Sequence, residues 1–218
     1  DFTYEVSRSL AACEGAVLVV DATQGVEAQT VSNAMLAMNA NLDIVPAINK
    51  IDLPSARPEE VRAEIEDVLA IPADDAVCVS GKTGEGIHEL LEALVYLVSP
   101  PKGDPTAPLK ALILDSYFDQ FRGVVATVRV FDGSIKAGNQ LLMMQRSMPF
   151  LVEEVGAKRP LEMAVDQLSV GEVGYVVTGL KDPEAVRVGD TLTYKQNPCA
   201  EPLLGYREAK PMVFTGLF

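Results

Sequence analysis

Leu42-Asp-Ile-Val-Pro-Ala-Ile48 is a short apolar run, and the polar tetrapeptide Asn49-Lys-Ile-Asp52 follows it directly. A short run of this kind predicts a buried strand of a parallel sheet. Open parallel sheets bind their ligands at the carboxyl ends of the strands. The position of Asn49-Lys-Ile-Asp52 therefore predicts a binding site, while a polar turn between a strand and a helix remains the alternative explanation.

Similar apolar runs alternate with helix-forming segments over the first hundred residues. Strands are predicted at 16–20 and 76–79, and helices at 4–13, 26–40, 58–70 and 86–98. The last of these helices has an apolar face formed by Ile87, Leu90, Leu91, Leu94, Val95 and Val98. This alternation predicts βαβ units, and so an α/β domain with a mostly parallel sheet.

The proline-rich segment 99–108 ends the alternation and predicts a domain boundary. Beyond it, short strands are predicted at 109–117, 123–131, 140–144, 151–157, 174–178 and 190–194. Asp132-Gly133 predicts a hairpin turn of type I′, in which both central residues have a positive φ. Many short strands separated by regular turns predict a closed barrel or a sandwich.

The charge of the chain is uneven. Residues 1–104 carry 18 acidic and 6 basic side chains, whereas residues 105–218 carry 13 and 12. This balance argues against strong nonspecific binding to nucleic acid, which needs a basic face. The three cysteines form no Cys-x-x-Cys pair, so a disulfide framework and a zinc site are both disfavoured and a reducing cytosol is indicated.

The tetrapeptide at 49–52 has side chains that suit a guanine base. The carboxylate of Asp52 can accept hydrogen bonds from two adjacent N–H donors, a pattern that guanine offers and adenine does not. Asn49 can donate to a ring nitrogen, and the stem of Lys50 can lie flat along the base. Asp21 ends the strand predicted at 16–20 near this site, where a role in a turn or a helix cap is expected rather than a ligand contact.

A second polar motif, Ser80-Gly-Lys82, follows the strand predicted at 76–79. There the backbone N–H of Gly81 can reach a base carbonyl, while Ser80 steadies the loop. Two other nucleotide motifs are incomplete in this region. A phosphate loop needs Gly at position 76, which is Ala, and Gly84-Glu-Gly86 lacks the third glycine of a dinucleotide fingerprint.

These two motifs resemble N-K-x-D and S-A-K, the guanine-recognition motifs of translational GTPases. Further stretches resemble the elongation factor 4, or LepA, family, and together they cover essentially the whole chain: residues 1–15, Gly25-Val-Glu-Ala-Gln-Thr30, Asp115-Ser-Tyr-Phe-Asp119, Arg122-Gly-Val124 and Lys210-Pro-Met-Val-Phe-Thr-Gly-Leu-Phe218. The resemblance implies the C-terminal part of a P-loop GTPase domain over 1–104 and an all-β translation-factor barrel, domain II, over 105–198. Residues 199–218 would then be a linker and the start of a further domain.

The resemblance also implies a function. Members of this family are ribosome-dependent GTPases of translation elongation, associated with back-translocation and translational fidelity. Seven residues would bind the guanine part of GTP or GDP: Asn49, Lys50, Ile51, Asp52, Ser80, Gly81 and Lys82. Mg²⁺ would bridge the phosphates in the parent protein. The implied partners are ribosomal RNA and proteins and tRNA-bearing ribosomal complexes. The implied state is a cytoplasmic monomer, with peripheral association with the inner face of the bacterial plasma membrane and a mitochondrial homologue as further options.

The chain also departs from the family pattern. The family's phosphate loop, first switch region and Asp-Thr-Pro-Gly-His segment with the catalytic His all precede the position of Asp1. We therefore expect no catalytic and no metal-binding residue here, and no GTP hydrolysis by the chain alone. Gly81 stands where the family has Ala, which matters little for a backbone contact.

Two alternatives to this interpretation remain open. One is another translational GTPase, of the elongation factor G or BipA type. The other is a non-enzymatic GTPase-like module whose barrel docks on ribosomal RNA or protein. On the barrel, Arg122 and Lys136 could meet ribosomal RNA phosphates, although plain surface charge is the stronger explanation of both residues.

Overall fold

The computed structural model describes Val6 and residues 9–203, and the chain divides into two compact units at Pro100. The first unit alternates strands and helices: β1 (Gly15–Asp21), α1 (Ala28–Asn39), β2 (Asp43–Asn49), α2 (Pro58–Leu69), β3 (Val77–Val79) and α3 (Ile87–Leu97). Strand β2 lies between β1 and β3 and pairs in parallel with both. This unit is therefore an α/β structure. The helix predicted at 4–13 falls largely outside the described residues.

Helix α2 illustrates how the sequence covers the sheet. It begins at Pro58, whose fixed φ suits the first helical position. Val61, Ile65 and Leu69 follow at intervals of four residues, so they share one face, and all three are buried. Ala70 then ends the helix in the left-handed region, with a φ of 54°. The core of the unit is formed by Val20, Ala22, Ala34, Ile48, Val61, Ile65, Leu69, Ile71, Ala73 and Ala76.

Helix α3 packs less of its apolar surface than its sequence predicts. It contacts β2 and β3. Leu91 and Val95 nevertheless remain 56% and 83% exposed. The predicted apolar face is therefore wider than the surface that the sheet of this unit covers.

The second unit is an all-β structure with strands β4 (Lys110–Asp119), β5 (Gly123–Asp132), β6 (Ser134–Ile135), β7 (Gln140–Met143), β8 (Met148–Leu151), β9 (Glu154–Arg159), β10 (Leu161–Ala164), β11 (Leu168–Ser169), β12 (Val173–Val177) and β13 (Thr191–Tyr194). Eight of them form a sheet in the order β10-β9-β12-β5-β4-β13-β7-β8, and every neighbouring pair is antiparallel. Strands β6 and β11 form a separate pair. One core cluster gathers apolar side chains from both ends of this strand order, including Leu141 and Val155.

The single strand predicted at 151–157 is wrong. Leu151 ends β8, and β9 begins at Glu154. Between them, the N–H of Val152 donates to the carbonyl of Asn139 at 2.9 Å. This hydrogen bond continues the β7–β8 pairing by one residue. The N–H of Glu153 then donates to the carbonyl of Val177 in β12 at 2.9 Å, so the chain changes its partner strand at this point.

The hairpin turn predicted at Asp132-Gly133 is also wrong. Gly133 has a φ of 72°, but Asp132 is the last residue of β5 and pairs with Lys110 of β4. The following strand, β6, pairs with β11. The Asp132 carboxylate accepts the N–H of Asp104 at 2.9 Å, and the Gly133 N–H donates to the Asp104 carbonyl at 2.9 Å. The dipeptide therefore binds the proline-rich segment to the end of β5 and does not close a hairpin.

Candidate functional site

The carboxyl ends of the three parallel strands meet at one edge of the sheet. Asp21 of β1 lies opposite Asn49 of β2, and Asn49 lies opposite Val79 of β3. The N–H of Ala22 donates to the Asn49 carbonyl at 2.8 Å, and the N–H of Ile51 donates to the Val79 carbonyl at 3.3 Å. The segments that follow the strands are thus held at this edge, where ligands of parallel sheets bind.

Asn49 joins the two polar motifs. Its Oδ1 accepts the N–H of Lys50 at 2.8 Å and the N–H of Gly81 at 3.0 Å. Lys50 has a φ of 69°, an uncommon conformation for a residue with a side chain. The Gly81 N–H, which we expected to reach a base carbonyl, is therefore used within the protein. Both hydrogen bonds use the acceptor end of the Asn49 amide and leave its Nδ2 group as the donor.

Ser80 links the same two motifs from below the surface. It is fully buried, and its Oγ donates to Asp52 Oδ1 at 2.7 Å while accepting the N–H of Thr83 at 3.1 Å. The second carboxylate oxygen of Asp52 lies 4.0 Å from the Nζ of Lys82. A carboxylate has about four acceptor positions, so the Ser80 bond leaves Asp52 able to accept two further N–H donors.

A cavity of about 290 Å³ opens between the two motifs. It is lined by Asn49, Lys50, Asp52, Leu53, Gly81 and Lys82. Of the seven predicted site residues, Ile51 and Ser80 stand outside this lining, because Ile51 packs against the core and Ser80 is buried beneath the loop. Leu53 is an addition that the sequence pattern did not indicate. It is 38% exposed and supplies an apolar surface beside the polar groups.

Asp21 also belongs to this edge, through Lys50. The Nζ of Lys50 lies 2.6 Å from Asp21 Oδ2. Asp21 Oδ1 accepts the N–H and the hydroxyl of Thr23, at 2.8 Å and 2.7 Å. Its hydrogen bond with Lys50, followed by those with Thr23, lowers the pKa of Asp21 to about 2. The same hydrogen bond raises the pKa of Lys50. Asp21 therefore forms the turn predicted for it and an ion pair that the sequence did not predict.

The described part of the chain offers neither a metal-ligand cluster nor a membrane-spanning helix. Val6 and residues 9–203 contain no group of three His, Cys, Asp or Glu side chains that could hold a metal ion. The helices within these residues are too short or too polar to cross a membrane.

The two barrel residues considered for RNA contact differ in their surroundings. The Arg122 guanidinium lies 2.8 Å from Glu162 Oε2 and 3.2 Å from the Tyr117 hydroxyl, and Asp119 Oδ2 is 3.7 Å away. The pKa of Arg122 is raised, mainly by the hydrogen bond with Glu162. The charge of Arg122 is therefore compensated within the unit, whereas Lys136 is exposed.

Comparison with known proteins gives matches in both units. Residues 1–100 match the family described as the elongation factor Tu GTP binding domain, and residues 123–193 match elongation factor Tu domain 2. Three similar relatives are elongation factor 4 of Geobacillus thermodenitrificans, at 56% identity, and those of Staphylococcus saprophyticus and Staphylococcus aureus, both at 54%. Each alignment covers all 218 residues of this chain and 36% of the relative. The chain thus spans about a third of the length of these relatives.

Proposed function

We propose that this chain is part of a ribosome-dependent translational GTPase. The proposal rests on its similarity, over the whole chain, to elongation factor 4, the family that its sequence motifs predicted. Residues 1–104 would form the C-terminal part of the GTP-binding domain, 105–198 the β-barrel domain II, and 199–218 a linker and the start of a further domain. The parent protein would act in the cytoplasm as a monomer, on ribosomal RNA, ribosomal proteins and tRNA-bearing complexes. Its role would be back-translocation and translational fidelity.

Within that function, this chain would recognise the guanine base of the nucleotide. The observation that supports it is the joined arrangement of Asn49, Asp52 and Ser80 beside a cavity at the strand ends. Asp52 would accept the two adjacent N–H donors of guanine, and Ser80 fixes the carboxylate for that contact. Asn49 would donate to a ring nitrogen through Nδ2. Because the Gly81 N–H is bound to Asn49, the neighbouring backbone N–H of Lys82 is the better candidate for the base carbonyl.

The phosphates of the nucleotide have no comparable site in this cavity. Its only basic side chains are those of Lys50, paired with Asp21, and Lys82. Mg²⁺ supplies charge neutralisation on the phosphates when a GTPase binds its nucleotide. The described residues offer no cluster of ligands for it, so we assign no step of this chain to the metal.

Base recognition is tested by changing the pattern that Asp52 presents. In Asp52→Asn, the side chain gains an N–H donor where the carboxylate accepted, so guanosine monophosphate (GMP) should bind about tenfold more weakly or worse. Xanthosine monophosphate (XMP), with a carbonyl in place of the amine, should bind better than it does to the wild type. Titrations followed by NMR at millimolar nucleotide measure both. Asp67→Asn, at an exposed position on α2, is the matched control for the lost charge. An unchanged ratio of GMP to XMP affinity in Asp52→Asn would contradict the proposal.

A second expectation concerns catalysis. The chain alone should bind GDP only weakly and hydrolyse no GTP, because this site offers contacts to the base and most nucleotide affinity comes from the phosphates and Mg²⁺. Phosphate release from GTP in the presence of Mg²⁺ is the measurement. Turnover by the wild type that Asp52→Ala abolishes would show that the chain carries a catalytic centre of its own.

A further inference from the structure

The side chain of Lys50 is fixed at both ends. At the backbone end, its N–H donates to Asn49 Oδ1 at 2.8 Å, and its carbonyl accepts the N–H of Leu53 at 3.1 Å. At the other end, the ammonium lies 2.6 Å from Asp21 Oδ2. A free lysine side chain has many rotamers, and ordering it costs conformational entropy, so holding it in place needs a firm partner.

The carboxylate of Asp21 is the partner that holds the Lys50 ammonium. Asp21 is the last residue of β1, and its side chain is 15% exposed, against 53% for Lys50. Thr23 holds Oδ1 through two hydrogen bonds, which leaves Oδ2 for the ammonium. The carbonyl of Asp21 also accepts the N–H of Gly25 at 2.9 Å. The carboxylate is therefore held by two hydrogen bonds that do not involve Lys50.

The ion pair determines where the Lys50 stem lies. Lys50 lines the cavity together with Asp52 and Gly81, whereas Asp21 stands outside the lining. With both ends fixed, the four methylene groups are held across one side of the cavity. An apolar stem in a fixed position can support the face of a flat aromatic ring.

We propose that Asp21 is a positioning residue for nucleobase binding, which holds Lys50 so that its stem supports one face of the base. This inference rests on the proposed function of the cavity as a guanine site. Asp21 acts on the ring face, which all purines share, and Asp52 acts on the ring edge, which differs among them. Asp21 thus sets the affinity for a purine without choosing among purines.

The test compares GMP with inosine monophosphate (IMP), which lacks the 2-amino group. In Asp21→Asn, both nucleotides should bind about fivefold to tenfold more weakly, and the ratio of their affinities should stay as in the wild type. In Asp52→Asn, that ratio should change. Asp67→Asn again controls for the lost charge. A change of the ratio in Asp21→Asn, or binding equal to that of the wild type, would overturn the inference.

A double-mutant cycle separates positioning from general damage near β1. Lys50→Met keeps an apolar stem but loses the ammonium, so it should weaken GMP binding as Asp21→Asn does. The double variant should lose no more than either single one, because both remove the same interaction. Additive losses would overturn the inference.

The order of the Lys50 side chain can be measured without any ligand, and so independently of the guanine site. NMR signals of the Lys50 ε-methylene and ammonium should show an ordered side chain in the wild type and a mobile one in Asp21→Asn. Identical signals in the two proteins would overturn the inference. If the wild type shows this order but no response to GMP, the proposed guanine site fails, and the role of Asp21 in nucleobase binding fails with it.

Discussion

Gly81 and Gly86 lie in the same loop after β3, but their backbones make different demands. A Cβ at Gly81 would meet only Asn49 Oδ1, at 3.8 Å, which is ordinary contact. Gly86 has a φ of 71°, and a Cβ there would lie 2.0 Å from the carbonyl oxygen of Cys78. Of these two glycines, only Gly86 requires the absence of a side chain.

Alanine at each position gives a matched pair of variants. Gly81→Ala should stabilise the first unit by up to about 1 kcal/mol, because it restricts the unfolded chain and fits the folded one. Gly86→Ala should destabilise it by about 2 kcal/mol or more, through the positive φ and the overlap with Cys78. Urea unfolding followed at backbone amide signals of the first unit measures both. Equal effects of the two substitutions would contradict this account of the loop.

The sequence predicts some of these residues and misses others for a physical reason. Asn49 and Asp52 could be predicted, because a polar motif directly after a buried strand has a known position in a parallel sheet. The ion pair between Asp21 and Lys50 could not, since it depends on the left-handed backbone of Lys50 and on the register of β1 against β2. Leu53 was missed because an exposed leucine in a turn carries no pattern.

Among the elements, β13 depends on a buried carboxylate at its start. Asp190 is fully buried, and its Oδ1 accepts the N–H of Gln145 at 3.0 Å and the N–H of Thr191 at 2.7 Å. It therefore joins β13 to the turn between β7 and β8. Burial raises the pKa of Asp190, so the charged form is held at a cost.

Two substitutions at Asp190 separate the hydrogen bonds from the charge. Asp190→Ala should destabilise the second unit by about 2–3 kcal/mol, because two backbone N–H groups lose their acceptor. Asp190→Asn keeps an acceptor oxygen and removes the charge, so its effect should stay within about 1 kcal/mol. The free energy of urea unfolding, followed at amide signals of the second unit, tests the pair. A loss in Asp190→Asn as large as in Asp190→Ala would show that the charge itself is needed.

Elements were predicted well where the signal was local and poorly where tertiary contacts decided. Helix α2 follows from its proline and its apolar spacing alone. At Asp132-Gly133 tertiary contacts prevent the turn that the local sequence predicts. The backbone of Asp104 forms hydrogen bonds with the Asp132 carboxylate and with the Gly133 N–H. The exposure of Leu91 and Val95 could not be foreseen either, since it depends on how far the sheet extends beneath α3.

At the scale of the whole molecule, two units of different architecture stand in one chain. The α/β unit followed by a β unit agrees with the fold class predicted from the sequence, and the two family matches fall one in each unit. The acidic residues concentrate in the first unit, where the proposed site lies. In the second unit, Arg122 does not contribute a free positive charge to the surface, because Glu162 compensates its charge.

The central claim is that residues 49–52 and 80–82 recognise a guanine base. The most direct measurement is an NMR titration of the wild-type chain with GMP and, separately, with AMP at the same millimolar concentrations. We predict that GMP shifts the backbone signals of Asn49, Lys50, Asp52, Gly81 and Lys82, and that AMP leaves them in place. Equal shifts with both nucleotides, or none with GMP, would contradict the claim.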